Sequence, residues 1–167
     1  MSKPLPIWLL VLAVLSFSAC QPPLGSQKTD VFILPHGLVG RVVIFYDQPG
    51  GQQERIVGDD RIFIVPENGV VFTQSSPNDG WTEFPRYYYD TITMHTQIPT
   101  RVDWNDYSVD GINASLVSSG TFQRKAGSDR ISFGVFFIGT RAQIDSAAKV
   151  SDQQGVQSMF PLTGASI

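Results

Sequence analysis

Short apolar and β-branched runs, separated by Gly, Pro, Asn and Asp, set the pattern of this chain and predict strands along most of its length. Val31–Leu34 and Arg41–Tyr46 read as strands joined by a hairpin or bend at Pro35-His36-Gly37. Gln48-Pro49-Gly50-Gly51 predicts a type II turn, because Pro fixes the first φ and Gly accepts the positive one, with Gln53–Val57 as the return strand. Arg61–Val65 and Val70–Thr73 flank Pro66-Glu67-Asn68-Gly69, and Asn-Gly between apolar runs predicts a hairpin. After the loop Ser75–Gly80, strands are expected at Trp81–Tyr89 and Thr91–Ile98, broken near Asp90. A long polar loop, Pro99–Gly111, precedes strands at Ile112–Ser118, Thr121–Lys125 and Ile131–Ile138. Val135-Phe136-Phe137-Ile138 is apolar on both faces, which predicts a central strand covered on two sides.

One segment departs from this pattern. Thr140-x-x-Gln143 is a capping box, followed by Ile144, Ala147 and Ala148 at helical spacing and by Gly155 as a stop, so one short helix is expected near 140–153. About nine short strands and one helix predict an all-β fold, a single β-sandwich.

The N-terminus belongs to no part of that fold. Lys3 is followed by the nine-residue apolar run Ile7–Leu15, too short to span a bilayer, which takes about 20 residues, but long enough for an export signal. The run ends in Ser16-Phe17-Ser18-Ala19-Cys20, at the only cysteine of the chain. Ser18-Ala19-Cys20 resembles the lipobox of bacterial lipoproteins, with Phe17 where that motif prefers an aliphatic residue. The resemblance implies cleavage between Ala19 and Cys20 and lipidation of the Cys20 thiol with palmitate-type chains. Gln21 is not the Asp that marks inner-membrane retention in enteric bacteria, so an outer-membrane location is implied where the host has such a membrane. The expected divisions are a signal peptide at 1–19, a tether at 20–29, the sandwich at 30–155 and a weakly specified tail at 156–167.

Composition narrows the function classes. The chain has 167 residues, 12 Lys+Arg against 15 Asp+Glu, and a formal charge of −3; loss of the signal peptide leaves 148 residues and a charge of −4. A small acidic body with few lysines lacks the footprint of a nucleic-acid binder. Its length suits a single domain. Gln21–Thr29 spans at most about 30 Å fully extended, which keeps the domain close to its anchor.

Phe32-Ile33-Leu34-Pro35-x-Gly37-x-x-Gly40-x-Val42-Val43-Ile44, with Ile64-x-Pro66-x-x-Gly69-Val70-x-x-Thr73 and Gly80-Trp81 downstream, resembles an uncharacterised family of bacterial envelope lipoproteins. The family implies no assigned activity. The Gly-x-Val-x-Ile strand with its Asn-Gly turn also resembles transthyretin- and immunoglobulin-like sandwiches, a likeness of fold that carries no function.

Candidate chemistry is sparse. Asp106-x-Ser108-x-Asp110-Gly111 places oxygens at alternate positions before a Gly turn, which is what calcium requires, yet Val117 stands where an EF-hand has its bidentate carboxylate. The alternative is a polar loop bonding its own backbone. His36 and His95 are the only histidines, and Ser75, Ser76, Ser118 and Ser119 are the candidate nucleophiles of a small serine hydrolase, with no Gly-x-Ser-x-Gly elbow to select one. Trp81, Tyr87, Tyr88, Tyr89 and Trp104 form an aromatic group, read either as a surface for an envelope protein or glycan or as core packing. The sequence therefore points to a membrane-anchored binding or structural module of the cell envelope, not an enzyme, with no cofactor. A calcium-dependent adhesion domain and the hydrolase are the alternatives.

Overall fold

A computed structural model describes residues 28–78, 83–101, 111–123, 129–150, 155, 156 and 159. Eleven strands and one helix lie among them: β1 (Thr29–Leu34), β2 (Gly40–Phe45), β3 (Arg55–Val57), β4 (Asp60–Ile64), β5 (Val70–Phe72), β6 (Arg86–Tyr89), β7 (Gln97–Ile98), β8 (Thr100–Arg101), β9 (Asn113–Ser115), β10 (Ser118–Gln123), β11 (Arg130–Gly139) and α1 (Arg141–Val150). The first sheet has the order β3-β4-β1-β6-β7 and the second β5-β2-β11-β9-β8, with β10 also paired to β11. The two sheets form the expected β-sandwich, not closed into a barrel. Both are mixed: β1 runs parallel to β4 and β6, β2 to β5, and β8 to β9, whereas immunoglobulin-type sheets are antiparallel.

Strand alternation supplies the core. Phe32 and Leu34 of β1, Phe63 of β4, Tyr87 of β6, Val42 and Ile44 of β2, and Phe136 and Ile138 of β11 all lie in one buried cluster between the sheets. Phe32 sits at its centre, with ring centroids 5.1 Å from Phe63, 5.5 Å from Tyr87 and 4.8 Å from Phe136. Each such side chain contributes roughly 1.5–3 kcal/mol on burial. The opposite residues of the second sheet, Val43, Phe45, Val135 and Phe137, pack in another cluster with Ile144 of α1 and Val156. The doubly covered strand expected at Val135–Ile138 is thus present. The helix that covers it starts on the expected capping box: Thr140 N–H donates to Gln143 Oε1 at 2.8 Å, and Gln143 N–H points back to Thr140 Oγ1 at 3.4 Å.

The hairpin expected across Pro66–Gly69 is not formed. β4 pairs with β1 and β3 in the first sheet, while β5 pairs with β2 in the second. The turn itself exists, closed by Gly69 N–H to Pro66 O at 2.9 Å, but Gly69 alone has a positive φ, 69°. Neither central residue, Glu67 or Asn68, has the positive φ of a two-residue I′ or II′ hairpin turn, and past Gly69 the chain pairs with β2 in the other sheet. Gln48–Gly51 is likewise closed by a hydrogen bond of 2.9 Å, without the positive φ at Gly50 that a type II turn requires. Its critical glycine is Gly51, where a Cβ would lie 2.5 Å from the Phe72 backbone carbon. The following residue joins the sheets: Gln52 N–H donates to Phe72 O in the second sheet, and its side-chain amide exchanges hydrogen bonds of 2.5 and 3.1 Å with the Ile64 backbone in the first.

Candidate functional site

The alternation that directs Phe32 and Leu34 inward also directs Asp30 inward, at the end of β1 where the chain enters the sandwich. The register sets Asp30 beside Arg61 of β4, and the guanidinium grips the carboxylate with both arms, Nε to Oδ1 at 2.8 Å and Nη2 to Oδ2 at 3.1 Å. Only 7% of the Arg61 side chain and 12% of that of Asp30 are exposed. Arg61 also donates from Nη1 to Ser76 O at 2.7 Å and lies 5.0 Å from the Phe63 ring centroid. Asn78 donates to Lys28 O at 2.7 Å and sits 3.4 Å from Asp30 Oδ1, closing the same corner from the segment after β5.

This buried pair lies beside a cavity of about 150 Å³. Asp30, Asn78, Glu83 and Ser119 supply its polar lining, and Tyr46, Pro77, Pro85 and Val117 its other walls. Room for Tyr46 and Val117 comes from Gly134 in the interior of β11. A Cβ there would meet the Tyr46 hydroxyl and Val117 Cγ1 at 3.0 Å each. A glycine inside a long strand weakens it, and marks places where another group must come close. Deeper in, Tyr87 donates its hydroxyl to Ser115 O at 2.9 Å. Burial pushes the Tyr87 phenol well above its ordinary pKa, with the nearby charge of Asp30 and then Tyr46 adding to the rise. The cavity can therefore bind a small group through hydrogen bonds and an acidic rim, against apolar walls.

The structure separates several residues that the sequence grouped. Tyr87 is fully buried in the core, and Tyr88 is only 5% exposed in a cluster with Val31 and Ile62 on the opposite face of the first sheet. Tyr89 is half-buried, with its hydroxyl on Leu38 O at 2.8 Å and its own pKa raised by burial. These three tyrosines are not an exposed row, because β6 lies inside the sheet between β1 and β7 and packs on both faces. His36 meets Asp90 at 3.3 Å beyond the far end of β1, while Ser75 and Ser76 lie beside Asp47 and Arg61 at the near end. Among the described residues no three His, Cys, Asp or Glu side chains converge as a metal site. Ala19, Cys20, Trp81, Trp104, Asp106, Ser108 and Asp110 lie outside the described residues.

Asp30 and Arg61 were not singled out from the sequence, although a signal for them exists. Asp30-x-Phe32-x-Leu34 and Arg61-x-Phe63 each carry a charge in phase with core aromatics, and the two charges are opposite.

A family model described as a family of unknown function, DUF6843, matches residues 26–151. No curated protein matches the chain. Among solved structures, the fold is similar to that of a putative lipoprotein from Bacillus anthracis, with a TM-score of 0.51 and 16% identity over 79% of this chain and 89% of that one. That likeness is one of fold.

Proposed function

The chain belongs to the DUF6843 family of unknown function, and from that premise we propose that it is a membrane-anchored lipoprotein of the cell envelope whose sandwich serves as a binding or structural module. The observation that carries this reading is the placing of Ser18-Ala19-Cys20 between an export-type apolar run and a domain whose first strand begins at Thr29. Lipidation uses the lone thiol of the chain. Each buried methylene of an acyl chain contributes about 0.8 kcal/mol, and two chains suffice for stable attachment. The fold shared with a putative lipoprotein supports the same reading. Labelled palmitate fed to expressing cells is expected to mark the wild-type chain and not Cys20→Ala. Absence of label, or label retained in Cys20→Ala, would overturn the anchor.

A further inference from the structure

We infer that the cavity beside Asp30 and Arg61 binds a small organic cation: a primary ammonium on a short alkyl stem. The inference rests on the reading of the domain as a binding module and names what that module takes. Within the cavity region the charge of Asp30 is already matched by the two-armed grip of Arg61. Glu83 is different. It is exposed at the cavity, and among the described residues it has no ion pair or hydrogen bond and no Lys or Arg lines the space. The described lining thus carries one carboxylate in excess, and a cation is the group that offsets it.

The walls select the rest of the ligand. Pro77, Pro85 and Val117 offer apolar surface for methylenes, and Asn78 and Ser119 offer oxygen acceptors for ammonium hydrogens. A volume of about 150 Å³ equals roughly five waters at about 30 Å³ each, which suits a four-carbon amine. That chemistry is shared by free alkylamines and by the side chain of a lysine in a partner polypeptide.

The test is calorimetric titration of the full-length protein, in an uncharged detergent at neutral pH, with n-butylamine, Nα-acetyl-lysine N-methylamide, n-butanol and butyrate. Ser119→Trp fills the cavity from an exposed position of β10 and serves as the blank for partition into detergent. Saturable binding of either amine is expected, with butanol and butyrate weaker, and with Glu83→Gln reducing amine affinity about twofold to fivefold. Preference for the lysine derivative would identify a polypeptide source, and equal or better binding of butylamine a free amine. Butanol binding as well as butylamine, amine affinity unchanged in Glu83→Gln, or no saturable binding beyond Ser119→Trp would each overturn the inference. These outcomes are independent of palmitate labelling, so failure of the ligand and failure of the anchor are told apart.

Discussion

The middle of the space between the sheets and its cavity end are built by the same two adjacent strands, β1 and β4, one pleat repeat apart. In the middle, Phe32 and Phe63 face each other and join Tyr87 and Phe136 in a dry aromatic cluster. Two residues earlier on each strand, roughly 7 Å away, the facing pair is Asp30 and Arg61. The backbone geometry is the same and the side-chain chemistry is opposite. The middle is stabilised by area removed from water and by close packing, which tolerates loss of one side chain only at the cost of a cavity. The polar end holds two charges that are costly to desolvate and stable only together. A fold that needed only stability at this corner would be served by a second apolar pair. Its ion pair instead leaves a polar-lined cavity next to a well-packed core.

Substitution of Arg61 tests this contrast most severely. Arg61→Met leaves Asp30 buried without its partner and is expected to cost about 3–5 kcal/mol in urea unfolding, whereas Asp30→Leu combined with Arg61→Met should fall near wild type or above it. Phe32→Ala is expected to cost a similar 3–5 kcal/mol, with no second substitution of its neighbours to restore it. A single Arg61→Met loss below about 1 kcal/mol, the size of an exposed pair, would show that water reaches the pair and that the two regions do not differ in this way.

Gly134 defines the boundary between the regions. Gly134→Ala places a methyl 3.0 Å from both the Tyr46 hydroxyl and Val117 Cγ1, and overpacking of this kind is expected to cost about 1–3 kcal/mol. The displaced groups line the cavity, so amine binding should weaken along with stability. Unchanged stability in Gly134→Ala would mean that Tyr46 yields freely and that the wall is not fixed by the strand.

Much of the architecture was legible because local signals suffice for it. The capping box at Thr140 and Gln143 and the two-faced apolar run Val135–Ile138 specify their elements without reference to distant residues. Partner choice was not legible. Asn68-Gly69 does turn the chain, but β5 joins β2 and not β4 because β2 offers a parallel partner to Val70–Phe72, a pairing between residues far apart in sequence. The cavity was hidden for a related reason. Asp30 reads as the polar start of a strand until the parallel pairing of β1 and β4, separated by the whole of β2 and β3, brings Arg61 beside it. The tyrosine run shows the limit of alternation: it separates Tyr88 correctly from Tyr87 and Tyr89, yet cannot tell that both faces of β6 are buried.

The smallest effect lies at Tyr87, which touches both regions: its ring belongs to the aromatic cluster, and its ionisation is opposed by burial first and then by the charge of Asp30. Tyr87→Phe keeps the ring and removes the hydrogen bond to Ser115 O, a loss of about 1–2 kcal/mol near neutral pH. At high pH the balance changes. The folded-state pKa of Tyr87 is raised above the unfolded value near 10, so its contribution is complete below about pH 10 and is lost as pH rises toward the folded-state pKa. Wild type should therefore lose stability above about pH 10 more steeply than Tyr87→Phe, and the gap between them should narrow. Tyr89, also raised by burial, gives both proteins a shared slope that cancels in the comparison. Urea unfolding of the two proteins at pH 7 and at about pH 11 measures the gap. A gap that stays constant would show that the ionised phenol is accommodated between the sheets, and that the dry middle and the polar end are not electrically distinct.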